Sequence, residues 1–472
     1  MRELAVIGTG IGGSLISALN ANKNPLVFEK DFNLGGCAST FTRGGFSYNT
    51  GATTLAGYED NHIIKNMFDT ISLKPKIIPS DVAIEVNINN KKISRTTNFD
   101  EFLDQINENF PNQNNENFWK TIYDIHQKFW KLKNIYYGKY SLKNYYKTSV
   151  FIFELLKSFK FNLFTSAQKF ISDTLGDISK DYLDFINAQL LITVQSDVKD
   201  LTLLSLALGL SYPFHKVYYV ENGMGSLIEQ ILETVDLHTN EKIQNIIQHK
   251  NSWILQSNND EYETKQLILN SSVYQNKELF ASKEIQNYYD QFEFSDQSAF
   301  VVYLTIKSNE EYLDHYQFIE NENLPNCISN SFFVSISHKD DQVLSKDGTR
   351  SITISTHSKA LFWKQLSKEE YKEQKAITQE FIVNKFLEYF PNIQKENIIK
   401  EFSATSLTFN RYINRYNCGG KAIGLRNISQ LPSCNTPFKG LYNVGDTVFA
   451  GQGWPGVAIG VDVLQRHLDG IS

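Results

Sequence analysis

The chain has 472 residues, of which 41% are hydrophobic and 21% charged, and its formal net charge is −6. This length exceeds one typical hydrophobic core and the composition is that of a folded protein, so we expect two or three globular domains. The acidic balance argues against nucleic acid as a partner, because the chain has no basic excess with which to neutralise phosphates.

The four cysteines, Cys37, Cys327, Cys418 and Cys434, stand far apart and form no CxxC pair. Their spacing predicts neither a disulfide framework nor a metal site, and it indicates a reducing compartment. The first apolar run is too short for a signal peptide, and the most apolar later stretch, residues 201–214, falls short of a membrane span. We therefore expect a cytoplasmic protein.

The first motif is a glycine-rich turn near the start of the sequence. The apolar run ELAVI is typical of a buried parallel strand, and Gly8, Gly10 and Gly13 follow it as G-x-G-x-x-G before a helical run. A second apolar run ends at Glu29, 21 residues after Gly8. Such glycines permit a tight turn, approach of a pyrophosphate and close helix packing, and such an acid binds a ribose hydroxyl. The motif predicts a dinucleotide site. Its other predicted contacts are Ile11, Gly12 and Lys30.

A second pair of glycines, Gly35 and Gly36, follows Glu29 and indicates which dinucleotide is bound. An NAD-binding unit has no need of this extension, whereas flavoproteins of the two-dinucleotide-binding class return here to the pyrophosphate. Ser39 and Thr40 would add hydroxyl donors, and Arg43 would supply a cation. The extension favours FAD.

The middle of the chain begins with a hairpin and continues as mostly helical sequence. Residues 81–96 alternate around an Asn-rich turn. Residues 131–170 hold eight lysines, eleven aromatic residues and one acid, Glu154. Two interpretations stay open for this segment. Its lysines contact anionic lipid while VFIFELL and FNLF enter the membrane interface, or it is a core-facing helix pair with solvated lysines.

Residues 216–235 read as strand, turn and helix, with Gly223 and Gly225 in the turn. A second nucleotide site is not supported, because Ile228 occupies the third glycine position and no acid follows at the required distance. We interpret the turn as a structural helix start and expect no bound NAD(P)H. The following residues alternate like consecutive strands. In flavoproteins of this class the part around residues 242–247 passes the adenosine, and Ile243 is the predicted contact.

The C-terminal segment, residues 440–468, reads as strand, Gly-Asp turn, glycine-rich loop and helix. Asp446 would accept a bond from a ribityl hydroxyl, and Pro455 and Gly456 open a helix whose N-terminus would face the pyrimidine end of an isoalloxazine. A Gly-Asp pair alone is an ordinary turn, but together with the N-terminal motif it indicates FAD. The predicted cofactor contacts of this segment are Gly445, Asp446, Gly453, Trp454, Pro455, Gly456 and Val457.

These motifs together resemble the phytoene desaturase, carotenoid isomerase and retinol saturase group of FAD-dependent oxidoreductases. The match runs end to end, from VIGTGIGGSLISALNANKNPLVFEK through YYVENGMGSLIEQI to GLYNVGDTVFAGQGWPGVAIG. The last segment is close to the carotenoid isomerase-like branch. Ala450 stands where the family often has proline, and Trp454 stands where a smaller apolar residue is common, which leaves the exact substrate open.

The resemblance implies a hydrophobic isoprenoid or polyene substrate, processed by hydride exchange with flavin as desaturation, saturation or isomerisation. With no second nucleotide site, the expected oxidant is a quinone or oxygen. An apolar substrate and the lysine-rich segment also suggest peripheral contact with the inner face of the cell membrane.

The implied fold class is α/β. A two-dinucleotide-binding, Rossmann-like FAD domain takes residues 1–74, 217–279 and 404–472. A substrate domain of mixed sheet with a helical lid takes residues 75–216 and 280–403. Within the second of these, QSAFVVYLTIK and TRSITISTHS are predicted to be neighbouring strands.

The sequence identifies no catalytic residue. His338 and His357 lie on predicted strands of the substrate domain, and single histidines of this kind are more often structural. A disulfide oxidoreductase would need a second cysteine near Cys37, so that class is rejected. A flavin amine oxidase acting on a smaller substrate and a non-catalytic, FAD-stabilised protein are the alternatives, and intact motifs at both ends of the chain disfavour the second.

Overall fold

The structure is a computed structural model that describes residues 1–160, 164–424 and 430–470. Three sheets, one separate hairpin and fourteen helices are formed by these residues. The helices are α1 (Ile11–Leu19), α2 (Ile63–Thr70), α3 (Phe99–Asn109), α4 (Asn115–Phe129), α5 (Leu142–Phe159), α6 (Ala167–Leu175), α7 (Lys180–Val194), α8 (Leu203–Leu210), α9 (Met224–Leu232), α10 (Lys283–Asp290), α11 (Ala360–Gln365), α12 (Lys368–Tyr389), α13 (Ser406–Ile413) and α14 (Gly453–Leu468).

The first sheet has seven strands and contains the N-terminal strand of the chain. Its strands are β1 (Arg2–Ile7), β2 (Leu26–Phe28), β10 (Asp236–His238), β11 (Ile243–His249), β12 (Ser252–Ser257), β13 (Glu261–Leu269) and β19 (Leu441–Asn443). The order is β10-β2-β1-β13-β12-β11, and β19 pairs with the C-terminal end of β13. Pairing is parallel from β10 to β13 and to β19, and antiparallel across β11, β12 and β13.

Burial explains why β1 is an unbroken apolar run. Leu4, Ala5 and Val6 have no exposed surface, as expected of a central parallel strand that is covered on both faces. Helix α1 follows β1 and packs on α14 and α9. The two ends of the chain therefore meet at one sheet, which confirms the predicted Rossmann-like α/β class.

The second sheet is mixed and carries the predicted hairpin. Its strands are β7 (Ile84–Ile88), β8 (Lys91–Arg95), β14 (Gln297–Lys307), β15 (His315–Ile319), β16 (Ser331–Ile336), β17 (Thr349–Lys359) and β18 (Ile398–Ala404). Its order is β18-β14-β17-β16-β15-β7-β8, with β7 and β15 parallel. Asn89 and Asn90 have φ of 44° and 64°, the left-handed conformation of a two-residue hairpin turn. The prediction that β14 and β17 are neighbours is also confirmed.

A third sheet joins β5 (Thr54–Ala56), β9 (Val217–Val220) and β6 (Ile77–Ser80), and β3 (Thr40–Arg43) pairs only with β4 (Phe46–Asn49). The strand of residues 217–220 thus lies outside the first sheet, although its partner β5 belongs to the same predicted FAD-binding domain. It pairs antiparallel with β5 and β6, while β10 to β13 enter the first sheet.

Helices α3 to α8 form the predicted helical insert between β8 and β9. Helix α8 packs on α4, α6 and α7, and α7 contacts β7 and β15 of the second sheet. Within the described ranges, no helix combines the length and the apolar character needed to cross a membrane.

Candidate functional site

One large cavity, of about 1080 Å³, lies where the first sheet, the second sheet and the helical insert meet. Its wall includes Gly8 after β1, Asp446 after β19, Val301 on β14 and Phe151 on α5. The space outside the carboxyl ends of parallel strands is where open α/β sheets bind ligands. The cavity is therefore the candidate site.

The glycine-rich turn after β1 is held by close backbone contacts. Gly8 has φ of +96°, a conformation that only glycine adopts readily. A Cβ added to Gly13 would lie 2.0 Å from the carbonyl oxygen of Gly8, so this glycine allows α1 to pack against the turn. Gly13 lies behind the cavity wall, whereas Gly8, Gly10, Ile11 and Gly12 line it.

Asn270 links the two halves of the site and was missed by the sequence analysis. Asn270 follows β13, and its backbone N–H donates a hydrogen bond to the carbonyl oxygen of Ile7 at 2.9 Å. Its side-chain Nδ2 donates to the carbonyl oxygen of Gly8 at 3.3 Å. A Cβ on Gly445 would lie 2.9 Å from its Oδ1. One asparagine after a strand carries no sequence signal. Only the pairing of β13 with both β1 and β19 brings it here.

Helix α1 begins with free backbone donors at the cavity. Its N-cap residue, Gly10, provides no side-chain cap, and the first turn holds no acid. The unpaired N–H groups and the positive end of the helix dipole favour an anion at this point.

Helix α14 begins at the same cavity and is uncapped in the same way. Its N-cap residue, Gln452, makes no capping bond with its side chain, and no acid lies in the first turn. Gly453, Pro455, Gly456 and Val457 line the cavity. Trp454 lines it too, with 3% of its surface exposed and its Nε1 buried without a hydrogen-bond partner.

Glu29 lies in the cavity wall at the end of β2, with Lys30 beside it and Ile243 of β11 opposite. Its Oε2 accepts hydrogen bonds from the backbone N–H of Thr9 at 3.0 Å and from the Thr9 hydroxyl at 2.6 Å. The carboxylate therefore braces the glycine-rich turn while it faces the cavity.

Asp446 lies in the wall after β19 and forms an ion pair with Arg415. Its two carboxylate oxygens lie 2.9 and 3.0 Å from Nη1 of Arg415. Burial lowers the pKa of Arg415, but the charge and hydrogen bond of Asp446, together with the nearby Cys37 and Cys418, raise it by more, so the pKa lies above its usual value and the guanidinium stays charged. Nη2 of Arg415 is buried without a partner, and the residue lines the cavity.

Arg43 is not the cavity cation that the sequence analysis expected. It lies at the exposed end of β3 in the separate hairpin, and its guanidinium is 4.3 Å from the ring centroid of Phe402. Arg43 lies opposite Phe46 in this hairpin and is not among the residues of the cavity wall. The cationic side chain next to Asp446 is Arg415, which no motif marked.

Ser39 and Thr40 also lie outside the wall, although Gly35 and Gly36 line it. The Ser39 hydroxyl bonds the Thr50 hydroxyl at 2.5 Å, and the Thr40 hydroxyl accepts the N–H of Gly225 at 2.9 Å. A Cβ on Gly225 would lie 2.6 Å from the Thr40 amide nitrogen. Gly223 at the N-cap and Gly225 in the first turn of α9 thus allow a close helix contact, in agreement with a structural helix start.

Three histidines, His126, His215 and His357, line the cavity. Desolvation lowers the pKa of His357 to about 4, so its ring is neutral at pH 7. His338 lies outside the wall, with its ring 6.0 Å from that of Tyr219. His126 and His215 were not considered in the sequence analysis, since they come from distant segments with no motif around them.

Buried histidines predict acid sensitivity of the fold. Burial lowers the pKa of His62 to about 4 and that of His126 to about 2, so both are neutral in the folded chain and bind protons more readily once it unfolds. Each therefore adds stability above its unfolded pKa of about 6.5, and this contribution is lost as pH falls, at up to about 1.4 kcal/mol per pH unit. Urea unfolding at about pH 7 and pH 4.5 measures the loss.

The control for this acid sensitivity uses one buried and one exposed histidine. We expect His62→Asn to flatten the dependence of unfolding free energy on pH, because asparagine still caps α2 but does not titrate. His249→Gln should leave it unchanged, since that side chain is 52% exposed. Equal slopes for wild type and His62→Asn would contradict the prediction.

Cys37 and Cys418 lie in the wall, but all four cysteines are free. Burial raises the pKa of Cys37 to about 12, which keeps this thiol protonated at neutral pH and argues against thiol redox chemistry. Across the described residues, no group of three or more His, Cys, Asp or Glu side chains could hold a metal ion.

Comparison with known proteins agrees with this geometry. Residues 6–71 match the model of an NAD(P)-binding Rossmann-like domain. The chloroplastic prolycopene isomerase of Daucus carota is 24% identical over 97% of this chain and 78% of its own length. An oxidoreductase from Methanosarcina mazei shares the fold at a TM-score of 0.67 and 17% identity, over 98% of this chain and 100% of the other. A putrescine oxidase also shares the fold, at a TM-score of 0.63 and 14% identity, over 100% of this chain and 98% of the other.

The fold and the comparisons together define the class: a Rossmann-like α/β protein that shares its fold with solved oxidoreductases and matches curated isomerases along its length. Within that class, the resemblance to carotenoid isomerases is confirmed, because the prolycopene isomerases of three plants match this chain at 22–24% identity over 97% of its length.

Proposed function

We propose that the chain binds FAD in this cavity and uses it to act on the C=C bonds of a long apolar substrate of the polyene or isoprenoid class. The observation that carries the proposal is that two uncapped helix N-termini, those of α1 and α14, line one cavity. The volume of about 1080 Å³ lies above the range of about 300–1,000 Å³ that ligand pockets usually have, which suits a cofactor together with a substrate.

The residues present fit FAD at both of its ends. The N–H groups at the start of α1 would hold the pyrophosphate, and Glu29 would accept a ribose hydroxyl. Asp446 would accept a ribityl hydroxyl, with its charge balanced by Arg415. The start of α14 would face the flavin ring, where its dipole stabilises the negative charge that develops on reduction.

Bound FAD would supply a hydride acceptor and donor, and the chain would supply position and a dry environment. The substrate part of the wall is mostly apolar, which suits a hydrocarbon held with few polar anchors. Its apolar residues include Phe129, Phe151, Leu155, Ile192, Leu208 and Phe333. Trp454 lies at the start of α14 in the cavity wall, and we propose that its indole narrows the cavity there and favours a substrate shorter than a full-length carotenoid. For a net oxidation, we propose a quinone or oxygen as the electron acceptor.

The deciding experiment is anaerobic reduction of the flavin in the FAD-loaded protein by a panel of carotenoid precursors, shorter isoprenoids and amines. Bleaching by a polyene precursor with a more conjugated product identifies a desaturase. A product that differs only in double-bond geometry, formed with pre-reduced flavin, identifies an isomerase. Bleaching by amines alone would overturn the polyene proposal in favour of an amine oxidase, and protein that takes up no FAD would overturn both.

We expect Glu29→Ala to weaken FAD binding by about 1.5–3 kcal/mol, the range for a hydrogen bond to a charged group. Removal of the carboxylate takes away the ribose acceptor and leaves the Thr9 donors without their partner. Titration of the apoprotein with FAD, followed by flavin fluorescence, measures the change. Glu29→Gln is the control, because it retains one acceptor oxygen and should lose less affinity. Equal affinities of Glu29→Ala and wild type would contradict the assignment.

We further propose that α5 rests on an anionic membrane and that substrate enters the cavity beside it. One stripe of α5 exposes large apolar side chains at helical spacing. Its members, with their exposed fractions, are Leu142 (90%), Tyr146 (70%), Val150 (38%) and Phe153 (69%). Tyr145 (53%) lies at the edge of the stripe and also lines the cavity. Residues 161–163 of the FNLF run lie outside the described residues.

Charge and position support the same surface. Lys143, Lys157 and Lys160 are exposed next to the apolar stripe, where anionic headgroups would meet them. The inner side of α5 contributes Phe151 and Leu155 to the cavity wall. One helix therefore separates the cavity from the proposed lipid surface, at the inner face of the cell membrane.

Liposome sedimentation tests the membrane contact. We expect the protein to sediment with anionic vesicles, to be released by salt, and to stay unbound after combined Lys→Glu replacement of Lys143, Lys157 and Lys160. The matched control replaces three exposed lysines elsewhere with glutamate. These control positions are Lys250, Lys372 and Lys395. Equal sedimentation with neutral and anionic vesicles would favour the account in which α5 is an ordinary surface helix.

A further inference from the structure

The face of the second sheet that lines the cavity is more polar than its opposite face. Side chains along a strand alternate between the two faces of a sheet. The face away from the cavity packs in an apolar core that includes Phe300, Val302 and Ile354. The cavity face carries four polar side chains, those of Gln317, Ser331, Ser355 and His357. Buried polar groups cost free energy unless they are hydrogen-bonded, so the partners of these four side chains indicate their roles.

Two of the four are engaged within the protein. Nε2 of Gln317 donates to the carbonyl oxygen of Ala188 at 2.9 Å, and its Oε1 accepts from Nε2 of Gln189 at 2.5 Å. The hydroxyls of Ser331 and Ser329 lie 3.0 Å apart and are hydrogen-bonded. Gln317 and Ser331 are 1% and 3% exposed. These two side chains therefore join α7 and a neighbouring turn to the sheet and offer little to a ligand.

The other two, Ser355 and His357, are open to the cavity. Both are half-buried, although their strand β17 is covered on either side by β14 and β16. Within the described ranges, the Ser355 hydroxyl forms no hydrogen bond, and it is not one of the buried polar atoms that lack a partner. The His357 ring bonds the backbone of Leu191 on α7, and neither of its nitrogens is a buried atom without a partner. A ligand in the cavity can therefore reach a polar atom of each side chain.

The two open side chains form one polar spot in apolar surroundings. They are two residues apart on one strand, so their Cα atoms are about 6.6 Å apart and their side chains lie on the same face. Ala299 lies opposite His357, and Val301 and Phe333 lie opposite Ser355. A mostly apolar wall with a few placed polar groups is the usual pattern of a small-molecule site.

The electrostatics of this spot favour an uncharged ligand group. Only burial and the Leu191 backbone shift the pKa of His357, so no charged side chain of the described residues acts on this ring. A ligand carboxylate would find no cation here, and an unpaired buried charge is costly. A neutral imidazole offers one N–H donor and one acceptor nitrogen, and a serine hydroxyl both donates and accepts. These groups suit the oxygen of a hydroxyl or a carbonyl.

We propose that Ser355 and His357 form a subsite that binds a hydroxyl or carbonyl oxygen at one end of the substrate. The subsite rests on the function proposed above and narrows its substrate class from apolar chains in general to chains with an oxygenated end. The proposed FAD contacts belong to the first sheet, its loops and helices α1 and α14, whereas this pair belongs to the second sheet. An anchored end would fix the position of the chain along the cavity, and with it the bond that lies at the flavin.

Binding of a matched set of probes to the FAD-loaded protein tests the subsite. The probes are geranylgeraniol, its aldehyde, its carboxylic acid and the hydrocarbon of the same chain without oxygen. Each is titrated at one detergent concentration and followed by quenching of protein fluorescence. We expect the alcohol or the aldehyde to bind about 10-fold more tightly than the hydrocarbon and the acid, the scale of one or two neutral hydrogen bonds. Equal affinity for all four probes, or tightest binding of the acid, would overturn the subsite.

Variants locate the preference on the two side chains. Ser355→Ala and His357→Leu should each remove most of the roughly 10-fold preference for the oxygenated probe, whereas His357→Gln should retain much of it because its amide still donates and accepts. The matched control is Ser331→Ala, the same replacement in the same cavity wall, which should keep the wild-type preference because that hydroxyl is bonded to Ser329. Flavin content and urea unfolding show that each variant is folded.

The outcomes separate the subsite from the proposed function. A preference for the oxygenated probe that survives the combined replacement of Ser355→Ala and His357→Leu would overturn the subsite. Wild-type protein that binds none of the four probes would overturn the proposed function itself. Protein that binds all four alike keeps the proposed function and loses only the subsite.

Discussion

Gly13→Ala is expected to abolish FAD binding and to lower the free energy of unfolding by about 3 kcal/mol, the upper end of the usual range for overpacking. The added Cβ would lie 2.0 Å from the carbonyl oxygen of Gly8 and 2.9 Å from Cβ of Asn270. The first of these contacts is with backbone, so a side-chain rotation cannot relieve it. Helix α1 would have to move away from the turn, and its N–H groups would leave the cavity wall.

The measurement pairs urea unfolding with a titration of FAD into the apoprotein. Gly51→Ala is the control, because Gly51 also lines the cavity but its added Cβ would meet nothing closer than the Cys37 carbonyl oxygen at 3.4 Å. We expect the control variant to keep wild-type stability. A folded Gly13→Ala protein with wild-type affinity for FAD would show that the turn is not the pyrophosphate site.

Asp446→Ala is expected to lower the free energy of unfolding by about 3 kcal/mol, because it leaves the buried charge of Arg415 without its ion-pair partner. The side chain of Arg415 is 11% exposed, and Asp446 provides its ion pair. The same change removes the proposed ribityl acceptor, so FAD affinity should fall as well. Urea unfolding of the apoprotein isolates the first effect, and titration with FAD measures the second.

A double replacement separates the effect of the unpaired Arg415 charge on stability from the effect of the lost Asp446 carboxylate on FAD binding. Arg415→Met with Asp446→Ala removes both charges, and its stability should return towards that of wild type because no unpaired ion is left inside. Its affinity for FAD should stay low, since the acceptor is still absent. Equal stability of Asp446→Ala and wild type would show that the ion pair does not hold this part of the fold.

Local patterns were sufficient to predict much of the fold. The strand, turn and helix around Gly8 could be predicted because a positive φ and a close backbone contact leave few residues other than glycine. The Asn89-Asn90 hairpin could be predicted because asparagine also tolerates the left-handed conformation of such a turn, and the end-to-end resemblance identified the α/β class. Each of these features depends on residues that are neighbours in sequence.

The prediction of the site was less complete, because it depended on contacts between distant segments. Arg43 is a cation at the expected position in sequence, yet it lies at the exposed end of the β3–β4 hairpin with its guanidinium against Phe402. Arg415 and Asn270 carry no motif, and they reach the cavity only because β13 joins β1 to β19. The contact between His126 and His215 was missed for the same reason, since these histidines are 89 residues apart in the chain.

The sequence by itself determined the glycine turns, the apolar strands and the amphipathic, lysine-rich helix, because these features reflect local steric and solvation demands. Only the tertiary structure decided which charged and titratable groups share the cavity. A side chain enters a site through the register and packing of its strand or helix against others, and these depend on many distant residues at once. The partnership of Asp446 with Arg415 and the hydrogen bonds that join His126, His215 and Glu59 are therefore properties of the folded molecule.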